Sequence, residues 1–600
     1  MPAGLKMRRL FVFFALVFIA ATALWWGEKE FGRRPNKQNS PSYRPGLYLV
    51  DSKTLNRLES LPGLEVGDAV SKDKVLVRVT LPILSRHGPE LKPYTVPRIA
   101  PELKNAGSKE KLLLNISLFS PADKEKVAKA VLACGGVVVK GTGEEGAVLR
   151  IELPAAALAK IAALEAVLRI EPYTPPQFLS DRAAAVIGTA PSLVPGFITP
   201  QGLSGTGQIV GVADSGLDKG DLDDLHPDFQ SVPGKMPKVV LLRSWAGGAT
   251  ADTNGHGTHV AGIIAGTGAA SGGCYRGIAP EASIYFQAIV NASGEPDPPA
   301  DLVALFRPAY SAGVRVHVDG WGGGSNNYSV AAAQIDRFCY YNPDFLPVFG
   351  SGNSGPAPKT LTSEANSKNA LVVGASENPR PLFGYTNPDT VARLSGRGPA
   401  GDGRIKPDLV APGVGVIAPR SRVFSNLAES SLYVRQDGTS MAAAVAGGAA
   451  LLLREYLRQE DGVTAPPAAL LKGLLINGAR SLGQTANNGF GLLDFAGTVL
   501  ALKEHTFSYT VQEPGLAEGE RAVSEVVVRD SGTPLKVTLC WTDPQALAGA
   551  APALINDLDL IVEGPDGRRY LGNDFERREL PDRLNNVEQV NIFQPMPGRY

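Results

Sequence analysis

Three short segments carry residue types from which a nucleophilic hydrolase is built: VADSGLD around Asp214, NGHGTHVAG around His256 and DGTSMAAAVAGG around Ser440. Cleaving an amide through an acyl-enzyme needs a hydroxyl nucleophile, a base that takes its proton and returns it to the leaving amine, and an anion that orients the base. Serine, histidine and aspartate fill those roles. Each residue also has an ordinary alternative. Asp214 could simply end a strand in a turn, His256 could be a packed histidine, and Ser440 could cap the helix expected over Met441 to Leu453. The histidine is the most telling of the three. The chain has only 6, and this one stands between Gly255 and Gly257, where other groups can approach closely. His259, one helical turn on, lacks the glutamate of an HExxH zinc site and is read as a packing residue.

Negative charge that develops on the attacked carbonyl needs its own donors. The backbone N–H of Ser440, at the positive end of its helix, is one, and the side-chain amide of Asn353 in FGSGNSG is the other. The ordinary reading of Asn353 is a turn asparagine.

The elements that must position these residues follow from hydrophobic patterning. From Gly207 onward, short apolar strands (QIVGVAD, KVVLL, ASIYFQAIV, RVHVDG, FLPVFGSG, NALVVGAS) alternate with alanine-rich helical stretches. That alternation predicts an α/β fold with a parallel sheet. In such sheets a site forms outside the carboxyl ends of the strands, where Asp214, Gly320 and Asn353 fall. Upstream, LLLNISLF, a helix, GAVLRIELP, a second helix and VLRIEPY form a βαββαβ-like α+β unit between residues 111 and 171. After about Thr506 the pattern changes to EVVVRD, LKVTLCW, DLDLIVEG and RRYLG, short strands separated by turns, which predicts a β-sandwich. The closing MPGRY reads as a turn into another strand, so the sandwich is expected to be incomplete in this sequence. An unpaired edge would then leave the part after Phe507 with little stability of its own.

Composition bounds the rest. A chain of 600 residues divides into several units, and 59 basic against 59 acidic residues leave no global field to attract nucleic acid. Cys134, Cys274, Cys339 and Cys540 match neither a zinc spacing nor a disulfide framework and read mostly as small buried hydrophobes, with Cys274–Cys339 the one bridge considered. Lys6, Arg8 and Arg9 precede an apolar run from Leu10 to Trp26 that contains Ala21-Thr22-Ala23. This reads as a cleaved export signal, the alternative being an uncleaved, outward-facing membrane anchor. A polar linker follows from Gly27 to Arg44. The expected organisation is therefore 1–26 signal or anchor, 27–179 pro-region, 180–506 catalytic domain and 507–600 β-sandwich.

Taken together, the three motifs, Asn353 and SGRGPAGDGRIKPDLVAPG around Gly396 to Gly413 resemble the subtilisin family of serine endopeptidases. In that family the triad runs Asp, His, Ser along the chain, an order that neither trypsin-like nor α/β-hydrolase enzymes share. The resemblance covers roughly Ser180 to Phe495. WTDPQA, NDLDLIVEGPDGRRYLGNDF and NNVE extend it to the branch with a C-terminal jelly-roll-like domain, known from alkaline bacterial proteases. It implies a subtilisin-like parallel sheet flanked by helices, an α+β pro-domain acting as intramolecular inhibitor and removed by self-cleavage, secretion, polypeptide substrates with large apolar side chains, and stabilising calcium. It further implies that Gly320, Trp321 and Gly322 pair with substrate and that Gly350, Ser351 and Gly352 form the pocket wall. For calcium, Asp557 and Asp559 stand two apart in an expected strand and so share a face, with Asn573, Asp574 and Asn585 nearby. A solvated acidic strand is the alternative.

Three departures from the family pattern stand out. Ala443-Ala444 replaces the usual Thr-Pro after the serine, Gly320 replaces a serine with Asp319 before it, and Gly350-Ser351-Gly352 replaces Ala-Ala-Gly. A different class of function is also open, a catalytically silent protein that holds peptides or glycans on the same scaffold. A third reading is a membrane-tethered processing enzyme.

Overall fold

The computed structural model describes residues 42–43, 45–51, 64–71, 74–80, 83–84, 91–94, 97–105, 110–141, 146–173, 177–178, 202–378, 387–424, 431–483 and 485–600. The expected export segment 1–26 and the expected start of the catalytic domain at Ser180 lie outside them. Among the described residues no helix is long and apolar enough to cross a membrane.

Residues 111–172 run β1 (Lys111–Leu118), α1 (Lys124–Ala133), β2 (Val137–Gly141), β3 (Val148–Pro154), α2 (Leu158–Ala162) and β4 (Val167–Pro172). The strands form an antiparallel sheet in the order β4-β1-β3-β2. Along β1 the alternating Leu114, Ile116 and Leu118 are buried, and Val127 and Val131, four apart on α1, cover them. Ahead of this unit, Gly46–Asp51, Leu64–Ser71, Lys74–Val79 and Lys92–Pro93 form a second four-stranded antiparallel sheet. Sequence patterning left that sheet unassigned.

The central element is a seven-stranded parallel sheet. Its strands are β5 (Ile209–Asp214), β6 (Val239–Ser244), β7 (Ser283–Ala288), β8 (Val316–Asp319), β9 (Leu346–Gly350), β10 (Leu371–Glu377) and β11 (Leu409–Val414), in the order β6-β7-β5-β8-β9-β10-β11. Helices α3 (His256–Ala265), α4 (Leu302–Ser311), α5 (Val330–Tyr341), α6 (Thr439–Gln459), α7 (Ala468–Gly478) and α8 (Phe495–Lys503) flank it. Both faces are covered, so the strands read as continuous apolar runs rather than alternating ones; all of β7 is buried. One face packs Val210, Val212 and Val318 against α3 and α6, and the other packs Ala213, Phe349 and Val372 in one cluster with Phe306 of α4 and Phe338 of α5. The strand order reverses between β5 and β8, which opens the crevice at their carboxyl ends.

Helix α6 crosses close to the sheet because its buried face is made of small residues. A Cβ on Gly447 would lie 2.4 Å from Val318 Cγ2, and one on Gly448 would lie 2.6 Å from Ile278 Cβ. The helix then fills the core with Leu451, Leu452 and Leu453, each contributing about 1.5–3 kcal/mol by burial.

After 506 no described residue is helical. β12 (Leu535–Cys540) pairs with β15 (Val587–Ile592), β13 (Ile561–Glu563) with β14 (Arg569–Leu571), and Val527–Val528 with Gly598–Arg599, all antiparallel. This part is joined to the large-sheet unit through buried polar groups. Lys368 Nζ donates to Asp543 Oδ2 at 2.6 Å, to the Pro544 carbonyl at 2.6 Å and to the Ala553 carbonyl at 2.7 Å. All four cysteines are free thiols. The Cys274–Cys339 bridge is therefore absent, and Cys274 is exposed rather than buried; only Cys339 is fully enclosed.

Candidate active site

Asp214 ends β5, and its Oδ1 accepts hydrogen bonds from His256 Nδ1 at 2.6 Å and from the Ser215 N–H at 2.8 Å. His256 opens α3, behind Gly255 in a left-handed conformation (φ +86°). The helix start is held by Asp252, a residue that motif reading passed over. Asp252 Oδ1 accepts from Gly255 N (2.8 Å), and Oδ2 accepts from Thr258 N (2.8 Å) and Thr258 Oγ1 (2.6 Å), which satisfies amide donors that a helix leaves open. Ser215 Oγ donates to Asp252 Oδ1 at 2.7 Å and accepts from Gly257 N at 2.8 Å. This small network fixes the end of β5 to the start of α3. Its one sequence signal was an aspartate four residues ahead of the histidine.

Ser440 is the second residue of α6 and makes no capping bond; its Oγ donates to the Gly320 carbonyl at 2.9 Å. The simple cap reading therefore fails. The convergence of the three side chains is measured at Gly320. A Cβ there would lie 2.5 Å from Asp214 Oδ2, 3.0 Å from His256 Cε1 and 3.4 Å from Ser440 Cβ. Residues 42 and 184 positions apart along the chain thus surround one point.

Asn353 Oδ1 accepts from Thr439 N at 3.0 Å and from Thr439 Oγ1 at 3.1 Å. A backbone N–H can only donate, so the bound atom is the amide oxygen, and the Nδ2 hydrogens are left to face another acceptor. Thr439 Oγ1 also accepts from Gly352 N at 3.2 Å. Thr439 was not singled out in the sequence, although it stands next to Ser440.

Trp321–Gly322 forms an antiparallel pair with Gln177–Phe178, in the register Gln177 opposite Gly322 and Phe178 opposite Trp321. Trp321 is only 1% exposed and packs edge-on against Phe349 at 5.6 Å, so its side chain belongs to the core and only its backbone faces a partner strand. Ser351 is likewise buried, its Oγ donating to the Gly396 carbonyl at 3.0 Å. A Cβ on Gly350 would lie 2.8 Å from Thr439 Oγ1, so this wall is backbone by necessity. Thr362, which the motifs did not mark, spans the two walls. A Cβ on Gly322 would meet its Oγ1 at 2.9 Å, and one on Gly352 its Cγ2 at 3.0 Å.

His259 places Nε2 3.1 Å from the Val434 carbonyl; burial, then the charge of His256, drives it down to about 3, so it stays neutral. Burial pushes the Asp319 carboxyl up, against the pull of His317 Nδ1 at 2.9 Å from Oδ2, and the charge of Asp214 pushes it further.

The oxygen donors expected for calcium serve other partners. Asp557 and Asp559 precede β13 instead of lying in it, and both accept from Arg583 Nη1, at 3.0 and 2.8 Å. Asp574 accepts from the Arg578 and Glu579 N–H groups, each at 2.8 Å. Asn573 Nδ2 donates to the Val587 carbonyl at 2.8 Å, and Asn585 Oδ1 accepts from Ile405 N at 2.8 Å. Among the described residues no group of three or more His, Cys, Asp and Glu side chains is placed to hold a metal. As placed, the two aspartates accept from the Arg583 guanidinium, and Asn573, Asp574 and Asn585 bond backbone groups.

The subtilase family profile matches residues 205–492. Serine protease/ABC transporter B family protein tagA of Dictyostelium discoideum is 28% identical over 515 residues, 66% of this chain but 29% of that protein, so the chain spans less than a third of its length. Fervidolysin of Fervidobacterium pennivorans, a keratinolytic enzyme related to subtilisin, aligns over 81% of this chain and 69% of its own with 20% identity and a TM-score of 0.45. Subtilisin Savinase of Lederbergia lenta is 30% identical over 302 residues, 49% of this chain and 91% of its own length. With nearly all of that enzyme covered, and the family profile falling on the segment that carries Asp214, His256, Asn353 and Ser440, the chain belongs to the subtilase family.

Proposed function

We propose that this chain is a secreted subtilisin-like serine endopeptidase, produced as an autoprocessed zymogen, that hydrolyses internal peptide bonds of polypeptides through an acyl-enzyme on Ser440. The observation that carries the proposal is the meeting of Asp214, His256 and Ser440 around Gly320, with the Asp214–His256 bond at 2.6 Å. That bond keeps a proton on His256 Nδ1 and turns Nε2 into the base. Ser440 Oγ rotates off the Gly320 carbonyl, gives its proton to Nε2 and forms the C–O bond. The oxyanion is met by the Ser440 N–H and by Asn353 Nδ2, whose orientation Thr439 sets. His256 then returns the proton to the leaving amine as the C–N bond breaks, and water repeats the cycle on the ester.

The α+β unit of residues 111–172 is the proposed intramolecular inhibitor. Two contacts support this: Glu171 Oε1 accepts from Val330 N at the start of α5 (3.3 Å), and Arg150 pairs with Asp297 at 3.2 Å. Gln177–Phe178, immediately downstream, lies on the strand proposed to receive substrate. Self-cleavage is expected after Phe178, near Ser180. Export rests on residues 1–26, and membrane attachment would follow only if they stay uncut. No nucleic-acid partner is proposed.

Calcium enters as a structural ion only, with no part in the chemistry. Binding at Asp557 and Asp559 requires Arg583 to withdraw; calcium should then raise Tm and a chelator lower it. An unchanged Tm would remove those residues from consideration.

A fluorophosphonate probe tests the whole reading. Labelling at Ser440 that disappears in His256→Ala is expected. Mature protein that takes no label would instead be a silent binding scaffold.

A further inference from the structure

At the end of the large sheet opposite the proposed catalytic groups, the segments leading into β5, β8 and β9 and the last turns of α6 line a half-open cavity of about 340 Å³. Its charged lining is Arg315, Arg454, Arg458 and Asp344, three guanidiniums against one carboxylate. Arg315 already has partners: its Nε donates to Asp344 Oδ2 at 2.6 Å, and its Nη1 donates to the Tyr310 and Val314 carbonyls at 2.9 Å each. That pairing leaves two positive charges uncompensated.

Arg454 is 9% exposed, and its ionic surroundings are unfavourable. Nη1 donates to a neutral acceptor, Gln208 Oε1, at 2.6 Å, while Nε is buried with no hydrogen-bond partner among the described residues. Burial, then the like charges of Arg458 and Arg315, hold this guanidinium down to about 10. An arginine placed merely to cover apolar surface keeps its polar head in water. Arg454 does the reverse, since its Nε is buried without a partner among the described residues, and an unmet buried donor near like charges is costly.

We propose that this cavity is a binding site for a small oxyanion of the phosphate class, held between Arg454 and Arg458. Guanidinium forks match phosphate oxygens in two-pronged hydrogen bonds, and a dianion balances the two charges that Asp344 leaves over. The site is separate from the proposed catalytic centre. Ser440 and Arg454 lie on the same helix, and at 1.5 Å per residue their separation is about 21 Å. Occupancy would tie the end of α6 to the starts of three strands and so stabilise the sheet at its amino edge. The cavity is larger than bare phosphate, so the shared chemistry has two sources, the free ion and a small phosphate monoester.

Calorimetric titration of the full chain carrying Ser440→Ala, with inorganic phosphate and with glycerol phosphate at constant ionic strength, tests the site. Saturable one-to-one binding is expected, with a matching rise in Tm. Tighter binding of glycerol phosphate identifies the ester as the better fit, and equal binding identifies the free ion; either supports the site. Arg458→Gln, at an exposed position, should weaken binding by about tenfold through loss of a charged donor. Arg454→Gln should do the same, and Arg599→Gln, on a distant exposed arginine, should change nothing. No binding up to about 20 mM, far above any useful occupancy, a Tm rise that chloride reproduces, or unchanged affinity in Arg458→Gln would each overturn the proposal.

Discussion

Replacing Thr439 by valine isolates the positioning of Asn353 from the donor itself. The backbone N–H of Thr439 keeps its 3.0 Å bond to Asn353 Oδ1, and only the 3.1 Å bond from Oγ1 is lost. A hydrogen bond of this kind contributes about 0.5–1.5 kcal/mol net. If that amount is lost from orientation of the oxyanion donor, kcat falls by about 2- to 13-fold, since about 1.36 kcal/mol is a factor of ten. The ceiling is the loss of the donor altogether, which in subtilisin itself costs about 10²–10³ in kcat, a family value and not one worked from this chain. KM should move little, because the contact acts on charge that forms only in the transition state. A second effect separates from the first: the Gly352 N–H loses its 3.2 Å acceptor, so stability should drop by about 1–3 kcal/mol. Thr439→Ser keeps the hydroxyl and should restore both. Steady-state kinetics on a chromogenic peptide, with Tm beside them, read the outcome. A valine variant with parental kcat, or a serine variant as slow as the valine one, would refute the reasoning.

Lys368→Met leaves the Asp543 carboxylate buried without its cation, at a cost of about 3–5 kcal/mol, and should lower the urea midpoint of a transition shared by the large-sheet unit and the residues after 506. Two separate transitions, or an unmoved midpoint, would show that the seam does not couple them. Gly447→Ala gains about 1 kcal/mol of helix propensity but drives a Cβ to 2.4 Å from the stiff Val318 side chain. Overpacking of that kind costs about 1–3 kcal/mol, so a lower Tm is expected and a higher one would contradict the close crossing. Glu171 and Glu364 are each pushed up to about 7 from 4.5, first by burial; the charge of Glu102 adds to the rise at Glu171, and the charges of Asp319 and Glu171 add to it at Glu364. Carboxyls raised in the folded state contribute stability that is full below about 4.5 and is lost as pH climbs through about 7, by up to about 1.4 kcal/mol per pH unit each. The Tm of uncut Ser440→Ala protein should therefore fall between pH 5 and 7.5, and Glu171→Gln should flatten the slope; a Tm that rises over that range would sink the argument.

Much of this protein was legible from residue order alone. Unbroken apolar strands alternating with alanine-rich helices demand a parallel sheet with both faces covered, because each strand's side chains must be buried on both sides; the pattern marks six strands, and Leu409–Val414 joins them as the seventh at the sheet edge. The rarity of histidine and the glycines around His256 marked the chemistry because close approach leaves room for few residue types. What the chain order could not reveal are the partners that lie next to those residues only in space. Asp252 and Thr439 hold His256 and Asn353 through hydrogen bonds whose donors and acceptors are common polar residues with no distinctive spacing. Trp321 is expected to offer substrate its backbone, and only the structure shows that its side chain turns inward onto Phe349. Lys368 met Asp543 across 175 positions, and Arg454 gathered beside Arg315 and Arg458, through the path of α6 and its neighbours. Local pattern sets which elements form and which face is apolar; the close packing of those elements alone decides which polar groups are enclosed together and whether their charges are met.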